Sequence, residues 1–169
     1  MQPRDLRDAA QLSMLLSTFS RLIKRDLFIE VGGWKGELSR TMAIIFKHVI
    51  VIDSWPKDPE TETPDKVSVR RVFLESIAPY KNISLLSMDG LAAAALFARG
   101  VADCVYIDDM HDYENMIPRL PAWERVVSVG GVIAGHDYSD KFPGVRQAVN
   151  EKYGQIDRLL PDTTWMVNR

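Results

Sequence analysis

The sequence predicts an α/β fold: a doubly wound, mostly parallel sheet of seven strands, helices on both faces, and an antiparallel hairpin at the C-terminal end. Three observations predict it. Five short apolar runs, Leu27–Val31, Val49–Ile52, Ile83–Leu86, Cys104–Ile107 and Val126–Ala134, lack polar alternation, as strands covered on both faces do. Helix-compatible stretches separate them, at 37–47, 65–78, 90–98, 112–125 and 144–153, and that alternation builds βαβ crossovers and a parallel sheet. The end of the chain differs: Gln155–Leu160, a turn at Pro161-Asp162-Thr163-Thr164, then Trp165–Asn168 reads as strand, turn, strand.

Two segments stand outside this alternation. Over residues 6–23, Leu12, Leu15, Leu16, Phe19, Leu22 and Ile23 recur at spacings of three, four and seven, which is a helical stripe facing a core. A membrane-surface helix is the alternative, and a polar face that is not strongly basic opposes it. Residues 55–66 hold three prolines and scattered acids, which disfavour helix and strand alike. They form a solvated loop or a lid over a site, since long loops in compact domains are often functional.

Composition narrows the class. The 169 residues are 46% hydrophobic and 26% charged, and 21 Lys+Arg against 23 Asp+Glu leave a net charge of −2. A domain of this size buries roughly 70% of the surface its unfolded chain would expose, so it folds without disulfide or metal. The reading is a helical extension over 1–26 and a single domain over 27–169. Nucleic-acid binders show a basic excess or stripe, and none is present. The single Cys104 excludes an internal disulfide and a cysteine-cluster metal site. No apolar run approaches the roughly 20 residues that span a bilayer. Arg4, Asp5, Arg7 and Asp8 precede any apolar stretch, unlike a secretory signal. A cytoplasmic protein without nucleic-acid or membrane partners is the expectation.

The chemistry-bearing residues gather at strand ends. The first strand runs into Glu30-Val31-Gly32-Gly33-Trp34-Lys35-Gly36 and then a helix. Glycines at such a turn let the backbone bend and approach a ligand, and the following helix start offers N–H groups and a positive dipole end. The glycines could equally serve only a tight turn. Their spacing is not the dinucleotide fingerprint G-x-G-x-x-G. The second strand ends at Asp53, 21 residues beyond Gly32, where an acid can accept from ribose hydroxyls. Asp89 follows the third strand and either caps the helix from Leu91 or meets an adenine amino group. The fourth strand leads to Asp108-Asp109-Met110-His111-Asp112, and the fifth to His136-Asp137. In a doubly wound sheet, ligands bind outside the carboxyl ends of the strands. That one edge would gather Gly32, Asp53, Asp89, Asp108, His111, His136 and Asp137, while His48 precedes the second strand and reads as structural. Capping by Asp112 and a turn at His136-Asp137 are the competing explanation.

These motifs resemble the class I S-adenosylmethionine-dependent methyltransferases, in particular the small-molecule O-methyltransferase-like methyltransferase family 24. The resemblance covers roughly 27–154. It rests on Ile29–Gly36, on Val105–Tyr113, and on Gly130–Tyr138 with Phe142–Val149. It implies a Rossmann-like seven-stranded sheet whose last strand is antiparallel, in agreement with the hairpin above. It implies that Glu30, Gly32, Gly33, Trp34 and Gly36 line the methionine end of S-adenosylmethionine. Asp53 with Ser54 would lie at the ribose, Met88 and Asp89 at the adenine, and Asp108 near the reacting methyl. Relatives that methylate natural-product sugars hold magnesium on three carboxylates around Asp108 and Asp137. The corresponding set here is Asp108, His136 and Asp137, and its histidine suits a hard Mg²⁺ poorly. Asp109, where relatives commonly have glycine, and Gly33, in place of a small polar or β-branched residue, are further departures.

The function these features point to is methyl transfer to a small hydroxylated molecule, a sugar or secondary metabolite. His111 or His136 would be the base that takes the acceptor proton. An NAD-dependent oxidoreductase is opposed by the glycine spacing. A non-catalytic cofactor-binding accessory or interaction domain is the alternative from another class. The N-terminal helix and 55–66 are the segments left to cover a substrate, completed by a second copy of the chain if the protein is a homodimer.

Overall fold

The computed structural model describes residues 7–55 and 69–169, so all but the first residue of the expected lid, and the start of the helix expected at 65–78, lie outside the described residues. The chain runs α1 (Ala9–Phe19), β1 (Leu27–Val31), α2 (Glu37–Met42), β2 (His48–Ile52), α3 (Val69–Ile77), β3 (Ile83–Leu86), α4 (Gly90–Ala94), β4 (Ala102–Ile107), α5 (Tyr113–Glu124), β5 (Val127–Gly135), α6 (Pro143–Tyr153), β6 (Arg158–Leu159) and β7 (Trp165–Asn168). The seven strands form one sheet in the order β3-β2-β1-β4-β5-β7-β6. Strands β1 to β5 pair in parallel, and β7 runs antiparallel to both β5 and β6. The strand order reverses between β1 and β4, the switch point where such sheets bind ligands.

Side-chain alternation divides the strands between two cores. Ile29, Val31, Val105, Ile107 and Ile133 pack on one face with α4, α5 and α6 residues such as Ala93, Leu120, Trp123 and Val149. Phe28, Val49, Cys104, Tyr106 and Val132 face the other side, with Leu15 and Phe19 of α1, Leu38 and Met42 of α2, and Phe73 of α3. The first turn of α1 is fixed by a reciprocal capping box between Asp8 and Gln11, which satisfies two otherwise orphaned N–H groups.

The elements are shorter than their sequence patterns. The stripe over 6–23 becomes a helix only to Phe19, the chain turns at Ser20, and Ile23 is 99% exposed. Helices α2 and α4 stop at Met42 and Ala94, ahead of the expected 47 and 98, and their chains continue as tight turns closed by bonds such as Ile45 N to Met42 O and Leu96 N to Ala93 O. Strand β6 keeps only Arg158 and Leu159 of the expected 155–160, both exposed at the sheet edge.

Helix α1 belongs to the core. Leu15 and Phe19 are fully buried, and the Phe19 ring meets Phe28 and Tyr106 edge-on at 5.9 and 6.2 Å. Phe19→Ala should therefore lower the unfolding free energy by roughly 3–5 kcal/mol, the range for a buried Phe lost without collapse of the cavity. Urea denaturation measures it; a loss below about 1 kcal/mol would show that the helix contributes little to the core.

Candidate active site at the carboxyl edge of the sheet

The turn after β1 forms the first half of the site. Gly32 takes φ +101, and a Cβ there would strike the Asp108 carbonyl and come within 2.8 Å of the Asp109 nitrogen. Only glycine permits both the backbone angle and this approach to the end of β4. The next two amides, Gly33 and Trp34, donate to Asp53 Oδ2 at 2.9 and 3.1 Å. The Trp55 amide donates to Oδ1 at 2.8 Å. Asp53 thus clasps the glycine turn to the end of β2. An ionised carboxylate has about four acceptor sites, so three are committed and one remains on Oδ1. The loop amides expected to be free for a ligand are in part spent on this clasp. Gly36, at φ +83, opens α2 as an N-cap without a side-chain bond. Trp55 closes the turn from outside, donating its indole N–H to the Trp34 carbonyl and stacking on Phe73 at 4.9 Å. Ser54 is exposed beside it.

Glu30 lies beneath this turn, fully enclosed, and accepts from the Ser39 hydroxyl. Burial pushes its carboxyl up to about 8, against the opposing pull of Ser39 and Arg7, so it is largely protonated at neutral pH.

The second half of the site stands at the ends of β4 and β5. His111 Nε2 lies 2.7 Å from Asp137 Oδ2, and His136 Nδ1 lies 3.0 Å from Asp137 Oδ1. The two imidazoles share one carboxylate. Asp108 Oδ1 faces both rings, at 4.0 and 3.9 Å. Phe142 stacks against His111 at 4.8 Å. Asp137 adopts φ +63, an angle that Asp tolerates better than most residues. Burial alone would raise the Asp137 carboxyl, but the hydrogen bonds and charge of the two histidines hold it well below the usual carboxylate range. Burial likewise opposes a charge on His136, yet its bond to Asp137 and the charge of Asp108 raise its pKa above the ordinary value. His48 opens β2 at the opposite end of the sheet, exposed.

Sequence reasoning missed a buried polar chain behind this cluster. Arg7 donates from Nη2 to Asp108 Oδ2 at 2.9 Å and to the Tyr106 hydroxyl at 3.1 Å. Its Nε has no hydrogen-bond partner among the described residues and lies 3.9 Å from Asp162 Oδ2. Tyr106 shares a 2.7 Å hydrogen bond with Thr164, and Thr164 donates to Asp162 at 3.1 Å. The sequence carries little signal for this. Arg7 reads as a solvated charge before a helix, and Asp162 and Thr164 read as turn residues.

Asp89 stands at the start of α4. Its Oδ1 caps α4 by accepting from the Ala92 amide at 2.9 Å, and its Oδ2 pairs with Arg119 at 3.0 Å. Arg119, almost fully buried on α5, also reaches Asp109 at 2.9 Å. Asp109 therefore has a structural partner in Arg119. Its Oδ1 is buried without a hydrogen bond among the described residues, and burial raises its pKa despite Arg119. Met88 packs against the first core cluster.

The donor set argues against magnesium. The atoms that converge to within 4.8 Å come from Asp108, His111 and Asp137, with His111 where the sequence suggested His136. One donor is a nitrogen, and the second Asp108 oxygen is engaged by Arg7. Mg²⁺ takes oxygen ligands in near-octahedral geometry, and two carboxylates with one already committed do not fit that demand.

Strand order, parallel pairing of β1 to β5 and the antiparallel pair at the end define a Rossmann-like α/β fold. The model of methyltransferase family 24, described as a methyltransferase domain, matches residues 29–138, and the chain belongs to this family of class I S-adenosylmethionine-dependent methyltransferases. Solved structures agree on the fold. A protein of Corynebacterium glutamicum superposes with a TM-score of 0.71 at 12% identity, over 97% of this chain and 82% of that one. Cofactor-bound Rv0187 from MTB gives 0.68 at 19% identity, over 97% and 81%. CalS11, a TDP-rhamnose 3′-O-methyltransferase of calicheamicin biosynthesis, gives 0.63 at 17% identity, over 95% and 81%. Comparison with curated protein sequences gives no match. No helix among the described residues is long and apolar enough to cross a membrane.

Glu30 yields a pH signature. Below its ordinary value of 4.5 the acid is protonated whether folded or unfolded; between 4.5 and about 8 only the unfolded chain releases the proton. Stability attributable to Glu30 therefore falls as pH rises through that window and stays lost above it. Glu30→Gln should match the wild type in melting temperature near pH 4 and exceed it by several degrees near pH 8.5. Parallel melting curves at all pH values would contradict this account of Glu30.

Proposed function

We propose that this protein transfers the methyl group of S-adenosylmethionine to a hydroxyl of a small molecule, a sugar or secondary metabolite. The observation that supports this most is the contact between the two halves of the edge. The glycine turn that would take the methionine end of the cofactor touches the backbone of Asp108, the residue that faces both histidines. When bound, S-adenosylmethionine supplies an electrophilic methyl on a sulfonium sulfur. The new O–CH₃ bond forms as the S–CH₃ bond breaks, and that electron pair stays on sulfur.

The residues of the chain divide the remaining work. Asp53 holds a ribose hydroxyl through its one uncommitted acceptor site, and Met88 with Asp89 borders the adenine. Ser54, Trp34 and Gly36 complete the cofactor side, with Glu30 beneath. His111 takes the acceptor proton, with its Nε2 held by Asp137 and its ring held against Phe142. His136, which shares Asp137 and faces Asp108 in the same way, is the alternative base. Alignment of donor and acceptor accounts for most of the acceleration in such a displacement. A net charge of −2 suits a neutral or polar acceptor better than a nucleic acid.

Titration calorimetry with S-adenosylhomocysteine tests the cofactor half. Micromolar binding is expected, and Asp53→Ala should weaken it at least tenfold; absence of heat from the wild type would sink the proposal. For the base, His111→Ala should leave that affinity within about twofold while cutting turnover by roughly 10²–10⁴, the usual contribution of a positioned general base. Unchanged turnover would reject the assignment. Binding without turnover on any hydroxylated acceptor would favour a non-catalytic accessory domain.

A further inference from the structure

We infer that Arg7 is the built-in cation of this active site: its guanidinium takes the flank of Asp108 that a divalent ion would need, and methyl transfer here proceeds without a metal. This rests on the proposed reaction at the same site. Each oxygen of Asp108 has a separate task. Oδ1 faces His111 and His136 at 4.0 and 3.9 Å, while Oδ2 accepts from Arg7 at 2.9 Å. An ion drawn to Asp108, His111 and Asp137 would sit next to a guanidinium that cannot lose its proton. Like charges at that range in a partly buried site repel strongly. The ion would have to expel Arg7, and the chain is built to keep it.

The capping box at Asp8 and Gln11 fixes the backbone immediately after Arg7. Its side chain is 13% exposed. It is held by the Tyr106 hydroxyl at 3.1 Å and lies 3.9 Å from Asp162, whose side chain is fully buried. Removing the arginine would leave Asp108 Oδ2 and the Tyr106 hydroxyl without their shared donor, and a polar group left unpaired in a buried site is costly. Arg7 is a positioning residue on this reading. It acts through Asp108, holding that carboxylate with its second oxygen turned toward the histidines.

The test is direct metal binding, which needs no acceptor. Free Mn²⁺ would be followed by electron paramagnetic resonance during titration of the wild type, Arg7→Ala, Arg7→Lys and the Arg7→Ala/Asp108→Asn pair, each with S-adenosylhomocysteine present. The wild type and Arg7→Lys should bind no Mn²⁺ below about 1 mM. Arg7→Ala should bind at least tenfold more tightly than the wild type, and the added Asp108→Asn change should abolish that gain. If Arg7→Ala does not fold, Arg7→Gln, which keeps a stem and a donor toward Tyr106, takes its place. Micromolar Mn²⁺ binding by the wild type, or no gain in the uncharged variants, overturns the inference. Calorimetry with S-adenosylhomocysteine in metal-free buffer separates the two levels: loss of that signal in the wild type would count against methyl transfer itself, whatever the Mn²⁺ titration shows.

Discussion

The organisation of this molecule depends on the approach of the turn after β1 to the end of β4. Parallel pairing brings Val31 beside Ile107, and the missing side chain at Gly32 lets the turn rest on the Asp108 backbone. The glycine turn and the chain that leads to the acid–histidine cluster are thereby in direct backbone contact. A single β-carbon at position 32 would push them apart. Asp53 reinforces the same arrangement from the opposite side by holding the two amides after Gly32.

A second constraint is the polar cluster enclosed on the α1–α2 face of the sheet. Glu30, Tyr106 and Asp162 are buried on a face that is mostly aromatic and aliphatic, and Arg7 reaches in from its edge with 13% of its side chain exposed. Each polar atom there is costly unless paired. The solution is a chain of hydrogen bonds from Asp108 through Arg7 and Tyr106 to Thr164 and Asp162, with Glu30 held neutral by burial beside Ser39. Phe19 and Phe28 pack around Tyr106 in the middle of this chain.

Much of the fold could be read from periodicity. The five apolar runs became β1 to β5 because strands buried on both faces leave an unbroken apolar signature. The terminal hairpin followed from its turn residues. Element ends were less readable, since the chain past Met42 and Ala94 continues in turns whose composition is as apolar as a helix. At the site, the residues at strand ends were legible because topology alone brings them to one edge. Their partnerships were not. That Asp53 bonds the Gly33 and Trp34 amides, that His111 reaches the Asp137 beside His136, and that Arg119 joins Asp89 to Asp109 are pairings that the apolar periodicity does not encode. Arg7 was the least visible, because a charged residue before a helix looks the same whether it meets solvent or a buried carboxylate.

The polar chain also has a consequence for the order in which the protein is made. Its members come from the segment before α1, from β4, and from the turn between β6 and β7. During synthesis, Arg7 and Tyr106 emerge long before Asp162 and Thr164. Until the final hairpin docks, the arginine has only part of its pairing and the tyrosine lacks its second partner. Contacts of such sequence separation close late, because their loop entropy is recovered last. The carboxyl edge of the sheet therefore reaches its final electrostatic state only when β7 joins the sheet.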